Sequence, residues 1–356
     1  MTSIAKPPVV HPGLRRNAVG LTPRDYEGAM STLCAGCGHD SITAALVQAF
    51  YEMDVEPHRA VKLSGIGCSS KTTAYLLKQA HGFNGVHGRM PALATGVSAA
   101  NRGLRILGIS GDGDSLSIGL GQLGHAIRRN VDMLYVLENN GVYGLTKGQF
   151  SASADVGSRA KKGETNRQRP IDPVLFALTM GATFVARGFS GDKAQLVPLL
   201  KAGMAHRGFA LIDVLSPCVT FNDHEGSTRS YRSVRERAHD VAPVDFVPLR
   251  REITVDDVPA GAAGVRTVTM HDGSVVRFRG LDADYDPTDP DRAYATVHRL
   301  QAAGEVVTGL LYVDPRGGED EMHALNGTDA RPLVDLPYEE LCPGSAALEE
   351  LMGEFV

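Results

Sequence analysis

The strongest constraint on the fold is an alternation of two kinds of segment between about residue 32 and residue 225. Short runs rich in apolar and β-branched residues alternate with longer amphipathic runs. This pattern is typical of a parallel sheet covered by helices on both faces. It predicts strands at 60–65, 105–110, 133–138, 183–188 and 209–215. It predicts helices at 41–52, 71–80, 116–130, 172–181 and 192–206, two of which start at Asp172–Pro173 and Asp192.

The remainder of the chain has a different character. We expect an N-terminal arm at 1–30, an α/β domain at 31–229 and a small α+β C-terminal appendage at 230–356. Within the appendage, 268–280 predicts a hairpin turning at Asp272–Gly273, 293–304 a helix and 306–314 a strand. The arginine-rich segment 229–237 is interpreted as an exposed helix face or a subunit contact.

Composition excludes several classes of protein. The net charge of -5 argues against a general nucleic-acid binder, which would carry a basic field. No stretch approaches the roughly 20 apolar residues that cross a bilayer, and the first residues lack the apolar core of a signal peptide. We therefore expect a cytoplasmic protein without a membrane or nucleic-acid partner.

The cysteines indicate metal or redox chemistry. There are five of them, an odd number that speaks against a disulfide scaffold. Two form a close Cys34-Ala-Gly-Cys37 pair. With Cys68 and Cys218 they make four thiols, a usual number for an iron–sulfur cluster and also for a structural zinc site. The alternative, a buried free cysteine, fits Cys342.

Several motifs follow predicted strands directly. Cys68, the Gly-Asp-Gly-Asp run at 111–114, the Asn139–Asn140 pair and Cys218 each lie just past the carboxyl end of a strand. That edge is where open α/β sheets bind ligands. Four motifs on one edge favour a single composite site.

The Gly-Asp-Gly run and the asparagine pair suit a diphosphate with its magnesium ion. Glycines let backbone N–H groups approach phosphate closely, and the following helix N-terminus adds positive potential. Mg²⁺ prefers hard oxygen ligands, which Asp112, the Asn140 side chain and the Val142 carbonyl can supply. The alternative is an ordinary turn, in which glycine and asparagine serve only the backbone.

The motifs together resemble those of the β subunits of 2-oxoacid:ferredoxin oxidoreductases. They are CAGCGHD (34–40), SGIGCSSK (64–71), HGFNGVHGR (81–89), ISGDGDSLSIG (109–119), ENNGVYGLTKGQ (138–149) and SPC (216–218). Their order and spacing match over about residues 30–225. Ala35 stands where the family often has proline, a departure that changes no ligand. The long tail is similar to that of the 2-oxoglutarate enzymes.

The resemblance implies the following cofactors and site residues. Thiamine diphosphate would be bound with Mg²⁺ on Asp112, Asn140 and Val142, and a [4Fe–4S] cluster on Cys34, Cys37, Cys68 and Cys218. Cofactor contacts would come from Ile66, Gly67, Cys68, Ser69, His87, Gly113, Asp114, Gly144 and Leu145. The candidate catalytic residues, which would face the 2-oxoacid or coenzyme A, are Lys71, Lys147, Leu145 and His39.

One half of the expected active site is missing from the sequence. Thiamine enzymes activate the cofactor with a carboxylate carried by a separate domain, and about 110 residues before the Gly-Asp-Gly run leave no room for one. The resemblance implies a larger α subunit that supplies this glutamate in an α2β2 complex. The expected activity is CoA-dependent oxidative decarboxylation of 2-oxoglutarate, with electrons passed to ferredoxin. The alternatives are a pyruvate or broad 2-oxoacid enzyme, a non-oxidative thiamine decarboxylase and a zinc-bound interaction subunit.

Overall fold

The computed structural model describes most of the chain with side chains. The described residues are 11, 13–160, 163–224, 227, 229–242, 244–247, 265–269, 275–279, 285–319, 321–328, 331–342 and 344–355. No helix among them is both long enough and apolar enough to cross a membrane.

The strands are short and mostly buried. In chain order they are β1 Ala60–Ser64, β2 His81–Asn84, β3 Arg105–Gly111, β4 Met133–Asn139, β5 Val142–Tyr143, β6 Gln149–Phe150, β7 Phe184–Phe189, β8 Phe209–Leu215, β9 Ala238–Ala242, β10 Val244–Val247, β11 Val265–Thr269, β12 Val275–Arg279 and β13 Val306–Val313. The five strands predicted from the alternation are all present, while β2 was not predicted because its four residues are exposed and carry no apolar pattern.

Within the described residues, eight strands form one sheet in the order β2-β1-β3-β4-β8-β7-β13-β9. The first six run parallel. β13 is antiparallel to β7, and β9 is parallel to β13. The predicted parallel sheet is confirmed, and the C-terminal region extends it by two strands at one side.

The helices connect and cover these strands. They are α1 Gly38–Glu52, α2 Thr72–Tyr75, α3 Met90–Ala100, α4 Leu120–Arg128, α5 Pro173–Thr179, α6 Lys193–Ala205, α7 Tyr231–Arg237, α8 Pro290–Ala302, α9 Met322–Asn326, α10 Tyr338–Leu341 and α11 Gly344–Gly353. The predicted helix starts are confirmed, because Asp172 accepts hydrogen bonds from the first turn of α5 and Asp192 caps α6.

Helices cover both faces of the sheet. In α6, Gly203 lies against Leu134, whereas Met90 at the start of α3 lies against Gly108 and near Met133. Neighbouring strand residues such as Met133 and Leu134 point to opposite faces. α3 and α6 therefore pack on opposite sides, and the strands between them form a largely apolar core.

Two predicted helices are shorter in the structure than in the sequence pattern. The helix expected at 71–80 ends at Tyr75, because the chain turns at Leu77, whose φ is 47°. The buried Lys62 Nζ donates to the carbonyls of Leu76 and Leu77 and holds this turn. The helix expected at 116–130 divides into a π-helical segment, 113–118, and α4.

In the C-terminal region, α8 and β13 confirm the helix and strand predicted at 293–304 and 306–314. β11 and β12 pair antiparallel as a hairpin requires, while its turn at Asp272–Gly273 lies outside the described residues. Arg232 and Arg235 of α7 are exposed as expected. The boundaries of the proposed domains at 30 and 230 stay a prediction.

Candidate functional site

The sequence motifs meet at the carboxyl edge of the parallel strands. β1 leads into the loop at 65–68, β3 into the Gly-Asp-Gly run, β4 into the asparagine pair and β8 into the segment with Cys218. Because β1, β3, β4 and β8 are consecutive neighbours in the sheet, these four loops lie side by side. The edge predicted for a composite site is therefore one continuous surface.

Asp112 is buried at the end of β3, with 1% of its surface exposed. One carboxylate oxygen, Oδ2, accepts hydrogen bonds from the Gly141 amide at 2.8 Å, the Ser151 hydroxyl at 2.5 Å and the Ser153 hydroxyl at 2.6 Å. Burial raises the pKa of this carboxyl, and the two serine hydroxyls oppose that rise. None of the three donors bonds to Oδ1. The carboxylate is thus fixed through one oxygen.

The asparagine pair forms a tight turn after β4. Gly141 has a φ of 76°, a backbone conformation that residues other than glycine rarely adopt. The Asn140 side-chain oxygen accepts from the Val142 amide at 3.0 Å and keeps a second lone pair. Asn222, in the segment after Cys218, donates to the Asn140 carbonyl at 2.7 Å. The turn that carries the predicted magnesium ligands is therefore tied to the thiol segment.

Gly113 lies where a side chain would not fit. An added Cβ would come within 2.5 Å of the Tyr143 ring, whose hydroxyl donates to the Gly113 carbonyl at 3.0 Å. The glycine run and the asparagine turn therefore pack directly on each other. Asp112 and Asn140 lie on neighbouring loops, as the predicted magnesium site requires.

Asp114 is a buried junction between three loops. His87 Nδ1 lies 2.7 Å from Oδ1, which also accepts from the Ile66 amide at 3.3 Å, and Ser110 donates to Oδ2 at 2.7 Å. A Cβ on Gly65 would lie 1.8 Å from Oδ2, so only glycine fits beside this carboxylate. The Asp114 side chain holds the loops together, and its predicted contact with the diphosphate stays a prediction.

The first two thiols sit on a turn that packs against the segment after β8. The Cys37 amide donates to the Cys34 carbonyl at 3.0 Å, and the Gly38 amide donates to the Pro217 carbonyl at 3.4 Å. The Thr220 hydroxyl lies 3.3 Å from Cys34 Sγ. The C-x₂-C pair, in the loop before α1, is therefore held beside the segment that carries Cys218.

Gly144 connects the thiols to the diphosphate loops. A Cβ at this position would lie 3.5 Å from Cys68 Sγ and 3.6 Å from Cys218 Sγ. Gly144 directly follows β5, which begins two residues after Asn140. The two distant cysteines thus flank the backbone that leads out of the predicted magnesium site.

All five cysteines are free thiols. Among the residues that the structure describes, no three His, Cys, Asp or Glu side chains form a preassembled metal site. The four predicted cysteines lie on neighbouring segments, with Cys68 and Cys218 beside Gly144 and the C-x₂-C turn packed on the segment that carries Cys218. Burial raises the pKa of Cys37 to about 12 and, together with the Cys218 thiol, raises that of Cys68. Lys71 opposes the rise at Cys68, which places its ammonium near this thiol.

His39 lies beneath the asparagine turn and is 1% exposed. Its Nδ1 is 2.7 Å from the Ser216 hydroxyl and 3.5 Å from Glu138, and its Nε2 is 3.5 Å from the Asn140 amide nitrogen. Burial lowers the pKa of His39 to about 4 and raises that of Glu138, whose carboxyl accepts from Thr72. His39 is thus a buried residue packed beneath the turn.

The other predicted residues lie on the loops around these side chains, which we call the rim of the site. Leu145, Lys147 and His87 are exposed, whereas Ser69 is buried against Gly111. Lys147 has a φ of 81°, an unusual conformation for a residue other than glycine. Residues in such conformations cluster at functional sites. The remaining predicted contacts, Ile66 and Gly67, line the loop after β1.

Sequence reasoning missed several residues that shape the site. Ser151 and Ser153 fix Asp112, and Asn222 fixes the asparagine turn. Arg229, assigned to an exposed helix face, instead donates to the Ser153 carbonyl at 2.9 Å. A polar residue in an all-apolar strand was an available signal for Glu138, but serines in a loop carry no comparable signal.

The arrangement fits the groups that the resemblance implies. An anchored carboxylate, a side-chain amide oxygen and a nearby backbone carbonyl are the hard donors that Mg²⁺ requires. Thiolates are the donors that an iron–sulfur cluster requires. Gly144, two residues after Val142, lies beside Cys68 and Cys218, so the two predicted donor sets are neighbours in the fold.

Comparisons with known proteins bear on the same residues. The family model of the thiamine pyrophosphate enzymes, C-terminal TPP binding domain, matches residues 65–214. A 2-oxoacid:ferredoxin oxidoreductase β subunit from Saccharolobus solfataricus is 43% identical over 191 residues, which are 53% of this chain and 63% of that protein. The chain therefore spans less than two thirds of the length of that relative.

Two further proteins match over almost the whole chain. The 2-oxoglutarate oxidoreductase subunit KorB of Mycobacterium tuberculosis is 40% identical over 351 residues, 96% of this chain and 91% of that one. A solved 2-oxoglutarate:ferredoxin oxidoreductase from Magnetococcus marinus, with 2-oxoglutarate, coenzyme A and succinyl-CoA bound, superposes with a TM-score of 0.66 at 30% identity. It covers 94% of this chain and 91% of its own.

Proposed function

Because the chain belongs to the family of 2-oxoacid:ferredoxin oxidoreductase β subunits, we propose that it is the thiamine-diphosphate-binding subunit of a 2-oxoglutarate enzyme. That enzyme converts 2-oxoglutarate and coenzyme A to succinyl-CoA and CO2 and passes the electrons to ferredoxin. The observation that carries the proposal is the position of Gly144, beside Cys68 and Cys218 and just past the asparagine turn.

In this proposal, Asp112, Asn140 and the Val142 carbonyl hold Mg²⁺, and Gly113, Asp114 and Gly144 line the diphosphate. The support is the anchoring of Asp112 through Oδ2 alone, with Gly141, Ser151 and Ser153 as donors. Thiamine diphosphate, when bound, supplies the electron sink for decarboxylation. The packing of Gly113 on Tyr143 keeps the two phosphate-facing loops in register.

Cys34, Cys37, Cys68 and Cys218 are proposed as the ligands of a [4Fe–4S] cluster. A cluster accepts electrons one at a time, which the transfer to ferredoxin requires. The support is that Cys68 and Cys218 flank Gly144 and that Thr220 and Pro217 fix the C-x₂-C turn beside them.

The substrate side is assigned to the rim. Lys71, half-buried near Cys68, and the exposed Lys147 are proposed to bind the carboxylates of the 2-oxoacid or the phosphates of coenzyme A. Leu145, Ile66, Gly67, Ser69 and His87 are proposed to contact the cofactor or shape the pocket. His39 is assigned a supporting role, because its ring nitrogens lie against Ser216, Glu138 and Asn140.

2-Oxoglutarate is preferred over pyruvate because of the relatives that match nearly the whole chain. The two proteins that match this chain along nearly its full length both carry 2-oxoglutarate in their names. The 2-oxoacid relative from S. solfataricus matches only 53% of the chain. Archaeal 2-oxoglutarate synthase subunits also match only 52% to 60% of the chain, so the preference rests on the two near-full-length matches and not on the length of the C-terminal region.

A larger α subunit is the proposed partner, and it would supply the glutamate that activates thiamine, in an α2β2 complex in the cytoplasm. The support is an exposed apolar rim around the site, which a second subunit would cover. The rim consists of Ile66, Phe83, Val86, Ile118, Leu145 and Val156.

Anaerobic copurification with the partner subunit tests the proposal. The complex should contain iron, sulfide and thiamine diphosphate, and should reduce a dye faster with 2-oxoglutarate and coenzyme A than with pyruvate. Faster reduction with pyruvate would reassign the substrate. Thiamine without iron or sulfide would indicate a non-oxidative decarboxylase, and zinc without thiamine an interaction subunit.

A further inference from the structure

A chain of buried polar side chains leads away from the predicted magnesium ligand. Ser153 Oγ lies 2.6 Å from Asp112 Oδ2 and 2.9 Å from Asn139 Oδ1, so the two acceptor oxygens share its single hydroxyl proton. The Asn139 amide nitrogen donates to Asp213 Oδ1 at 2.9 Å. The Asn139 amide is therefore oriented by its donation to Asp213, with its oxygen turned toward the Ser153 hydroxyl.

The chain continues through an ion-pair triad. Arg187 donates from Nε to Asp213 Oδ2 and from Nη2 to Asp172 Oδ2, both at 2.7 Å. Asp172 in turn caps α5 with Oδ1 and accepts a hydrogen bond from Gln301 of α8. The C-terminal region thus contributes the last member of a path that begins at Asp112.

Every member near the site is removed from water. Asp213, Asn139 and Ser153 are 0% exposed, and Arg187 is 3% exposed. A buried ion pair is often no more stable than apolar residues of similar volume, so stability alone does not account for the triad. Residues behind a metal ligand commonly fix that ligand's orientation. The path reaches Asp112 directly and reaches Asn139, the residue before Asn140. Asp112 and Asn140 are the two predicted side-chain ligands.

We propose that Asp213, held by Arg187, is a positioning residue for the magnesium–diphosphate turn. It orients Asn139, and through Asn139 and Ser153 it sets the angle of the Asp112 carboxylate and the position of Asn140. This inference rests on the proposed function, since it concerns the affinity of the same site for magnesium and thiamine diphosphate.

Two substitutions break the path at different points. Asp213→Asn keeps the shape but places an amide N–H against either the Arg187 or the Asn139 donor. Ser153→Ala removes only the Ser153 hydroxyl. It therefore tests the positioning role even if Asp213→Asn does not fold. Ser98→Ala is the matched control, because Ser98 is also a buried serine and hydrogen-bonds His323 far from this turn.

The measurement is made on the complex with its partner subunit after removal of metal with a chelator. Magnesium is titrated at fixed thiamine diphosphate, and bound cofactor is followed by circular dichroism. We expect the half-saturating magnesium concentration to rise about 10-fold for Ser153→Ala and about 100-fold for Asp213→Asn, with Ser98→Ala unchanged. At saturating magnesium, kcat of Ser153→Ala should return to near the wild-type value.

The outcomes separate the two levels of the account. Wild-type affinity for magnesium in both path variants would overturn the positioning role and leave the proposed function intact. Loss of affinity in Ser98→Ala as well would show a general effect of losing a buried hydroxyl and would also overturn it. A wild-type complex that binds no thiamine diphosphate would refute the proposed function and this inference together.

Discussion

The two ends of the main sheet use buried polar side chains in opposite ways. At the amino end, Asn130 accepts from the Phe209 amide at 2.7 Å and donates to the Gly317 carbonyl at 2.6 Å. Its oxygen also accepts from the Thr183 hydroxyl at 3.0 Å, but two of these three bonds join it to the backbone. At the carboxyl end, Asp112 bonds two serine side chains and one amide through a single oxygen. At the carboxyl end, Asp112, Ser153 and Asn139 form a connected network of side chains in addition to their bonds to the backbone.

The difference distinguishes residues that stabilise the fold from residues that orient the groups of a binding site. A side chain bonded to backbone groups stabilises two segments, and its loss leaves buried donors or acceptors without partners. A side chain oriented by other side chains contributes geometry toward a ligand. Substitutions at the amino end should therefore lower stability, and substitutions at the carboxyl end should lower cofactor binding.

The largest expected effect is at the thiols. Cys218→Ser should remove the iron–sulfur absorbance and stop 2-oxoacid-dependent ferredoxin reduction, because serine is a poor replacement for thiolate on iron. Cys342→Ser is the control, since Cys342 follows α10 as a free thiol that is half-buried and not buried as the sequence suggested. Iron analysis of the anaerobic complexes checks this; wild-type iron content in Cys218→Ser would refute the ligand assignment.

Asp112→Asn should weaken magnesium-dependent thiamine diphosphate binding by about 100-fold or more, because a neutral amide replaces the carboxylate ligand. The denaturant midpoint should change little, since the amide oxygen can still accept from Ser151 and Ser153. Equilibrium binding to the complex measures the first quantity. A variant that binds cofactor normally but unfolds early would place Asp112 among the residues that serve only the fold.

Lys62 tests whether a buried charge away from the candidate site affects only the free energy of unfolding. Burial lowers its pKa to about 8, so the unfolded chain binds more protons than the folded chain between pH about 8 and about 10.5. Wild-type stability, measured relative to Lys62→Met, should rise with pH across that window, by about 3 kcal/mol in total. Urea midpoints at several pH values measure this difference; a flat difference would show that Lys62 is not desolvated.

Asn130→Asp should lower the free energy of unfolding by about 2 kcal/mol, since the carboxylate cannot donate to the Gly317 carbonyl. Magnesium affinity should equal that of the wild type. Denaturation and the magnesium titration together check the result. A loss of cofactor binding without a loss of stability would contradict the division between the two ends.

The sequence predicted the elements whose signals are local. The apolar runs of β1, β3, β4, β7 and β8 and the caps Asp172 and Asp192 were confirmed because each signal lies within the element itself. The predicted α2 was too long, because the turn that ends the helix depends on Lys62 of β1. That contact is long-range and leaves no local pattern.

The candidate site divides in the same way. Asp112, Asn140 and the cysteines belong to spaced motifs and were found from the sequence. Ser153, Asp213 and Arg187 come from three separate segments and meet only in the fold. Their residue types are ordinary for a loop or a strand, so no sequence pattern distinguishes them.

The most direct test follows the cluster absorbance of the wild-type complex under anaerobic conditions, without ferredoxin. Addition of 2-oxoglutarate and coenzyme A should bleach that absorbance when thiamine diphosphate and magnesium are present, and should leave it unchanged when they have been removed. Such a result requires the two cofactors to exchange electrons at one sheet edge. Bleaching that is independent of thiamine diphosphate, or a complex without iron, would contradict the shared site.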